Sequence, residues 1–281
     1  MSYFKVLGLE EEPFSTSPDP AFFYESISHR EALLRLEIGI KLKRGLSVIL
    51  GDVGYGKTTL ARKLFSVFSD KSKYDFNMIL DPTADSESEF LAILQDLLEI
   101  KSESPSVFSC KRALERYLFQ KGVEENKTTI LLIDEAQKLA EPALEVLRML
   151  LNYETNKFKI LQLVLFGQIE LLPLIRAKKN FWDRISLKYR IEPLTRQETK
   201  EMIHFRLTQV RYPNGYPLFN EDAIDAIYEY TQGCPRRINM ICHDALEILV
   251  MKNLSRVNRE VIQGLVAEEL QVRDGQYSAF R

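Results

Sequence analysis

A glycine-rich run near residue 50 has the residue types and spacing of a phosphate-binding loop. From Gly51 to Thr58 the sequence reads GDVGYGKT, which is the pattern G-x-x-x-x-G-K-T. Its glycines let the backbone turn N–H groups towards phosphate oxygens, Lys57 adds a positive charge, and the Thr58 hydroxyl can ligate Mg²⁺. The pattern predicts a site for ATP and Mg²⁺ in which the nucleotide contacts are Gly51, Asp52, Val53, Gly54, Tyr55, Gly56, Lys57, Thr58 and Thr59.

A second run, TTILLIDEAQKL over residues 128–139, places two carboxylates directly after four apolar residues. Ile130–Ile133 predicts a strand buried on both faces, and open α/β sheets bind ligands at the carboxyl edge of their strands. Asp134 can hold Mg²⁺ through its water shell. Glu135 can orient and deprotonate an attacking water. Together with the loop, the pair predicts nucleotide hydrolysis.

Two further segments place polar side chains where they could meet the terminal phosphate. The strand predicted over Lys159–Phe166 leads to Gln168, which is a candidate phosphate sensor if this strand neighbours the one before the loop. Arg236 and Arg237 open a predicted helix, where the helix dipole disfavours cations unless an anion lies nearby. Ordinary surface glutamine and arginines are the alternative interpretation of these three residues.

The elements that must position these residues alternate between strand and helix, which is typical of an α/β domain. The predicted strands are Leu46–Leu50, Tyr74–Leu80, Ile130–Ile133, Lys159–Phe166 and Leu187–Ile191. The helices predicted among them are His29–Arg44, Thr58–Phe68, Ser86–Ile100, Lys111–Gln120, Pro142–Tyr153 and Ile169–Ala177, with a loop at Lys101–Ser109. After Leu194 only helices are predicted, at Thr195–Gln209, Glu221–Tyr230, Arg236–Lys252 and Val257–Leu270.

The composition shift near Leu194 predicts a domain boundary. We expect an α/β nucleotide-binding domain over residues 29–194 and a helical domain over residues 195–281, in which Thr195 and Glu198 form a capping box and Asn220 caps the next helix. Residues 1–28 predict an extended lead-in packed on the core, because Pro13, Pro18 and Pro20 disfavour a helix. Its aromatic residues are candidates either for stacking on a nucleotide base or for docking onto the domain: Phe14, Phe22, Phe23 and Tyr24.

The overall composition excludes several classes of protein. Of 281 residues, 38 are basic and 40 acidic, so no global field attracts nucleic acid or anionic lipid, and any DNA contact would need a local patch. Cys110, Cys234 and Cys242 have no metal-ligand spacing and predict free thiols in a reducing cytoplasm. No apolar run is long enough to cross a bilayer, and the N-terminus lacks the pattern of a signal peptide. We therefore expect a cytoplasmic protein without a membrane span of its own.

Over nearly its whole length the chain resembles the AAA+ ATPases, and within them the ExeA/GspA-type ATPases of bacterial secretion and pilus systems. The segments that carry the resemblance are PFSTSPDPAFFY, HREALLRLEIGI, GDVGYGKTT, ILLIDEAQKL, LVLFGQIEL, FWDRI and GCPRRIN. The resemblance implies a P-loop NTPase (AAA+) three-layer sandwich with a parallel five-stranded sheet, followed by a small all-α lid. It also implies Walker A at Gly51–Thr58, Walker B at Asp134 and Glu135, sensor 1 at Gln168, sensor 2 at Arg236, and an arginine finger at Arg184, with Arg190 as second choice.

The resemblance implies an ATP-hydrolysing switch that assembles as a homo-oligomeric ring or filament and drives a secretion, pilus or exopolysaccharide envelope system. Many ExeA/GspA-type proteins continue into a membrane-spanning segment and a peptidoglycan-binding region. This sequence ends at Arg281 without either, so we expect its output to pass through a separate envelope or secretion partner, through which it could also be peripheral at the inner membrane.

The same branch offers an alternative, namely a transposition regulator resembling TnsC, TniB or MuB that forms ATP-dependent oligomers on duplex DNA. Under that alternative the candidate phosphate contacts are Lys178, Lys179, Arg237 and the cluster Lys41, Lys43 and Arg44. A protein that only binds nucleotide is disfavoured by the intact Lys57, Asp134 and Glu135.

Overall fold

The computed structural model describes residues 2–17, 19–102, 104–212 and 217–273. These residues divide into two compact units. One unit takes Ile27–Val53 and Lys57–Ile191. The other takes the residues before Ile27, the loop residues Gly54–Gly56 and the residues from Glu192 onwards.

A five-stranded parallel sheet forms the centre of the first unit, which confirms the predicted fold class. In chain order its strands are β1 (Leu46–Leu50), β2 (Tyr74–Ile79), β3 (Thr128–Ile133), β4 (Leu161–Gly167) and β5 (Ile185–Arg190). In space the order is β2-β3-β4-β1-β5, and all four pairings are parallel. Every residue of β1, β3 and β4 is buried, because these strands are covered on both faces.

Helices make up most of the remaining described structure. In chain order they are α1 (Tyr3–Val6), α2 (Ile27–Lys41), α3 (Lys57–Val67), α4 (Glu87–Leu97), α5 (Val107–Phe119), α6 (Glu141–Leu150), α7 (Leu171–Arg176), α8 (Lys179–Trp182), α9 (Arg196–Gln209), α10 (Glu221–Thr231), α11 (Pro235–Met251) and α12 (Arg259–Arg273). Within the described ranges, none of these helices is both long and apolar enough to cross a bilayer.

The core of the first unit joins the central strands to α4, α5 and α6. Apolar side chains from these elements form one buried cluster, whose members include Val48, Leu131, Leu163, Phe90, Leu114 and Leu147. Serines define where two of these helices begin: Ser86 Oγ accepts the Glu89 N–H, and Ser106 Oγ accepts the Ser109 N–H. The second cap places α5 earlier than the predicted Lys111, so the last three residues of the predicted loop Lys101–Ser109 are helical.

The second unit has its own core, formed by α9 to α12 with residues from the lead-in. The predicted capping box of α9 is present, because Thr195 Oγ1 accepts the Glu198 N–H and Glu198 Oε2 accepts the Thr195 N–H. Asn220 occupies the N-cap position of α10, but its side chain makes no capping hydrogen bond. Thr195 therefore confirms the predicted mechanism of capping, and Asn220 only the predicted position.

The lead-in differs from the predicted extended segment on the α/β core. It contains α1 and a short 3₁₀ turn at Pro20–Phe22, and its described residues before Ile27 belong to the helical unit. Phe14 is buried in the helical core, with its ring edge-on to Phe219, and Phe22 packs with Leu9 and Val210. Stacking of Phe14 or Phe22 on a base is therefore wrong for this structure, because both rings are already buried by protein.

Other helices and strands begin or end a few residues away from their predicted bounds, where the sequence has no strong capping or turn residue. The short helix α8 was not predicted, and β5 begins at Ile185 rather than at Leu187. Pro18 and residues 274–281 of the predicted helical domain lie outside the described residues.

The close approach of Gly233 to Leu194 predicts a large effect on stability. Gly233 has φ +73°, and a Cβ added there would lie 1.9 Å from the carbonyl oxygen of Leu194. Gly233→Ala should lower the free energy of unfolding by about 2–4 kcal/mol, since alanine is strained at positive φ and the backbone must move. Chemical denaturation measures this change.

Gly264 provides the matched control, because it lies within α12 and a Cβ added there meets nothing within 4 Å. Gly264→Ala should raise the free energy of unfolding by about 0.5–1 kcal/mol, as alanine replaces glycine inside a helix. Equal effects of the two substitutions would contradict the described backbone at Gly233.

Candidate active site

The phosphate loop follows β1 directly and ends where α3 begins. Gly54 and Gly56 have φ of +82° and +81°, a conformation that glycine adopts without strain. The Gly51 N–H donates to the Gly167 carbonyl at 3.1 Å, so the start of the loop is fixed to the end of β4. This backbone has the curled form that a row of amides needs to surround an anion.

Lys57 is the first residue of α3, and its side chain is folded into the loop. Its Nζ donates to the carbonyl oxygens of Gly51 at 2.8 Å and Asp52 at 3.0 Å. Burial lowers the pKa of Lys57, and the nearby carboxylates of Glu135 and Asp134 oppose that shift. A buried ammonium whose hydrogen bonds go to backbone carbonyls of the loop is well placed to exchange them for phosphate oxygens.

Asp134 and Thr58 meet although they belong to different strand-and-helix units of the sequence. The Thr58 hydroxyl donates to Asp134 Oδ2 at 2.6 Å, and the Glu135 N–H donates to Oδ1 at 2.9 Å. Asp134 is only 2% exposed, and this burial raises its pKa against the effect of the two hydrogen bonds. A hydroxyl beside a buried carboxylate is a donor set of hard oxygens, which fits Mg²⁺.

Glu135 stands in a turn that controls its direction. Its φ is +50°, in the left-handed region, and it precedes the 3₁₀ turn Ala136–Lys138. The side-chain amide of Gln137 donates to Glu135 Oε2 at 2.6 Å and accepts the Gln168 N–H through Oε1 at 3.0 Å. Gln137 was missed as a site residue; the signal for it was an amide two residues after Glu135, in the same short turn.

Gln168 follows a strand that neighbours the strand before the phosphate loop, as its candidate role requires. Strand β4 pairs with β1, and Gly167 is in register with Leu50, the residue before the loop. Gln168 thus follows the strand next to the loop, at the same carboxyl edge. Its role as a sensor of the terminal phosphate stays a prediction.

The two candidate arginine fingers differ in their surroundings. Arg184 donates to Asn152 Oδ1 at 2.5 Å and to the backbone carbonyl of Asn180, so its guanidinium is held in the turn between α8 and β5. Arg190 is in register with Leu50 on β5 and forms an ion pair with Asp52 of its own loop at 3.6 Å. Arg190 is therefore engaged beside the site of its own chain, whereas a finger acts on the site of a neighbour.

Arg236 belongs to the helical unit, which also contains Gly54–Gly56. Its N–H donates to the Gly54 carbonyl at 3.2 Å, and a Cβ added to Gly54 would lie 2.7 Å from the Arg236 Cβ. The side chain of Arg236 is exposed. Arg237 instead stacks its guanidinium over the Tyr230 ring at 4.5 Å.

Several of the lysines considered for DNA contact are engaged within the chain. Lys178 forms ion pairs with Glu141 and Glu145, Lys41 pairs with Glu37 at 2.8 Å, and Lys43 lies over the Phe158 ring at 3.9 Å. These contacts neutralise or occupy charges that a phosphate backbone would need.

A parallel sheet of this order, with a phosphate loop after β1 and an acidic pair after β3, defines a P-loop protein of the AAA+ class. Residues 40–175 match a family model described as an AAA domain. Those residues, just under half of the chain, are therefore similar to the AAA domain family, and the fold is that of an AAA+ P-loop NTPase. Within that class its sequence is related to general secretion pathway protein A of Aeromonas hydrophila, with 34% identity over 246 residues, which confirms the resemblance to the ExeA/GspA type.

The extent of each match limits what it shows. The aligned region covers 87% of this chain but only 44% of the Aeromonas protein, so the chain spans less than half of that relative. Among solved structures, the Drosophila ORC bound to DNA gives a TM-score of 0.68 at 20% identity, covering 96% of this chain and 66% of that one. Cdc6p of Pyrobaculum aerophilum gives 0.65 at 19% identity, covering 87% and 67%. At such identities the structural likeness shows the fold alone.

The buried carboxylate of Asp134 predicts a gain in stability when its charge is removed. The pKa of Asp134 is higher in the folded state than in the unfolded state. The buried charge therefore destabilises the fold as the pH rises from the unfolded-state pKa through the folded-state pKa, and this destabilisation is fully present at neutral pH. Asp134→Asn should therefore raise the Tm of the nucleotide-free protein at pH 7, since the amide can still accept the Glu135 N–H and donate to Thr58.

Asp81→Asn is the matched control for this prediction. Asp81 is exposed, and hydrogen bonds from Thr83 and Lys138 lower its pKa, so removing its charge should not raise the Tm. Scanning calorimetry at pH 7 without Mg²⁺ checks both variants. A Tm of Asp134→Asn at or below the wild-type value would contradict the account of this carboxylate.

Proposed function

We propose that this chain is an ATP-hydrolysing AAA+ switch that works as a homo-oligomer and passes its conformational state to a secretion or other cell-envelope partner. The observation that carries the proposal is the Thr58–Asp134 hydrogen bond with Glu135 next along the chain. It joins two residues that are candidates for binding the metal, next to a candidate base, at the carboxyl edge of one sheet beside the phosphate loop.

The residues divide the work of hydrolysis by their chemistry. The loop amides over residues 51–59 and the Lys57 ammonium bind the phosphates of ATP. Thr58 and Asp134 would hold Mg²⁺, which would neutralise part of the phosphate charge when bound. Glu135 orients and deprotonates the attacking water, and Gln168 follows the strand beside the loop, where it can contact the γ-phosphate.

Oligomer formation enters the proposal through Arg184. Its guanidinium is held by Asn152 and Asn180, outside the phosphate loop of its own chain. Inserted into a neighbour's site, an arginine of this kind stabilises charge in the transition state and is worth about 10³–10⁵ in rate. Arg236 would report the presence of nucleotide to the helical unit through its contact with Gly54.

The link to secretion rests on sequence relationship. The 34% identity to general secretion pathway protein A covers most of this chain, whereas the DNA-bound neighbour shares only the fold. We base the proposed partner in a secretion, pilus or exopolysaccharide system on that relationship.

Substitution of Glu135 separates binding from turnover. Glu135→Gln keeps the shape and one acceptor oxygen but removes the base, so ATP affinity should stay within about twofold while kcat falls by on the order of 10²–10⁴. Fluorescent-nucleotide titration and a phosphate-release assay measure the two quantities. Lys57→Ala serves as the contrasting control, because it should lose nucleotide affinity itself; equal loss of affinity in both variants would remove Glu135 from its proposed role.

Mixing two inactive variants tests whether Arg184 acts on a neighbour. Arg184→Ala leaves its own Glu135 intact, and Glu135→Gln leaves its own arginine intact, so mixed oligomers contain complete sites at some interfaces. The mixture should recover a measurable share of the wild-type phosphate-release rate, although each variant alone is nearly inactive. Arg190→Ala in place of Arg184→Ala is the control, and recovery that requires Arg190 rather than Arg184 would reassign the finger.

A further inference from the structure

A chain of two hydrogen bonds joins the acidic turn after β3 to the end of β4. Gln137 Nε2 donates to Glu135 Oε2 at 2.6 Å, and Gln137 Oε1 accepts the backbone N–H of Gln168 at 3.0 Å. Both partners lie in the same compact unit as Gln137. The amide thus spans from the candidate base to the candidate phosphate sensor.

The two partners fix which way the amide faces. A backbone N–H can only donate and an ionised carboxylate can only accept, so the oxygen of Gln137 must face Gln168 and its nitrogen must face Glu135. Gly167 lies beside this contact: a Cβ added there would lie 3.4 Å from Gln137 Oε1, whereas its close approach, at 2.8 Å, would be to a Leu171 methyl carbon. A side chain that could not both donate and accept would leave one partner without its hydrogen bond.

The geometry points to Gln137 as the residue that positions Glu135 for hydrolysis. It fixes Oε2 of the carboxylate by a charge-assisted hydrogen bond and leaves Oε1 to face the attacking water. It also ties the carboxylate to the backbone at Gln168, so movement of the β4 end on phosphate contact changes the direction of the base. This inference rests on the proposed function, because it assigns no separate chemistry to Gln137.

The Glu135 side chain projects from a residue with left-handed backbone. With φ at +50°, Glu135 turns the chain out of the direction of β3 and into the 3₁₀ turn that contains Gln137. Within the described ranges, the side-chain amide of Gln137 donates a hydrogen bond to the Glu135 carboxylate. Without it, the base would sample directions that do not face the γ-phosphate.

Two substitutions of Gln137 separate positioning from simple structural support. Gln137→Met keeps the length of the side chain but can neither donate to Glu135 nor accept well from Gln168. Gln137→Glu keeps an acceptor for the Gln168 N–H but cannot donate in its ionised form and places a like charge beside Glu135. The readouts are kcat at saturating ATP, nucleotide Kd and Tm, with Lys138→Ala in the same turn as the control.

We expect kcat of Gln137→Met to fall by roughly 10-fold or more, as for loss of a hydrogen bond to a charged group, with nucleotide Kd within about twofold. Gln137→Glu should lose at least as much kcat, because it removes the donor to Glu135 and adds a like charge beside it. Lys138→Ala should keep wild-type kcat, because its side chain pairs with the exposed Asp81.

Two results would overturn the inference: wild-type kcat in Gln137→Met, or a Gln137→Glu variant whose kcat is restored along with its Tm, as structural support alone predicts. Should Gln137→Met not fold, Gln137→Glu decides by itself. Glu135→Gln measured alongside separates this inference from the proposed function. If Glu135→Gln still turns over, the proposed function fails; if it is inactive while the Gln137 variants are normal, only the positioning role fails.

Discussion

The hydrogen bond between Thr58 and Asp134 is the interaction on which the site depends. It joins the first turn of α3 to the end of β3, although β4 lies between β1 and β3 in the sheet. It can form because all five strands run parallel and bring their carboxyl ends to one edge. The same constraint sets Gln168 between the loop and the acidic pair, and it places Arg190 beside Asp52.

The buried charged groups of the site lower the stability of the nucleotide-free protein. Asp134 follows an apolar strand and is buried, which raises its pKa, and burial lowers the pKa of Lys57, the residue directly before Thr58. Each charge is partly compensated by hydrogen bonds to the loop or the turn. Phosphate and metal would complete that compensation, so binding of ligand and order of the site are coupled.

Features that depend on residues close together in the sequence could be predicted from the sequence alone. The buried runs of β1 and β3, the positive-φ glycines of the loop and the Thr195 capping box follow from apolar continuity, glycine spacing and a cap signature. What depends on long-range packing could not be predicted: the burial of Phe14 among the helices and the hydrogen bond between Gln137 and Gln168 both join residues that are far apart in the sequence. Start signals such as Ser106 were also misjudged, because serine is equally common in loops.

The most direct test of the central claim is the steady-state ATPase rate per subunit over a range of protein concentrations, at fixed moderate salt, with and without duplex DNA and with Glu135→Gln as the blank. The account predicts a rate per subunit that rises with protein concentration, because each site is completed by a neighbour, and that does not respond to DNA. A rate per subunit independent of concentration, where the protein remains monomeric, would contradict completion of the site in trans. Stimulation by DNA that is lost at higher salt would contradict the secretion-type switch.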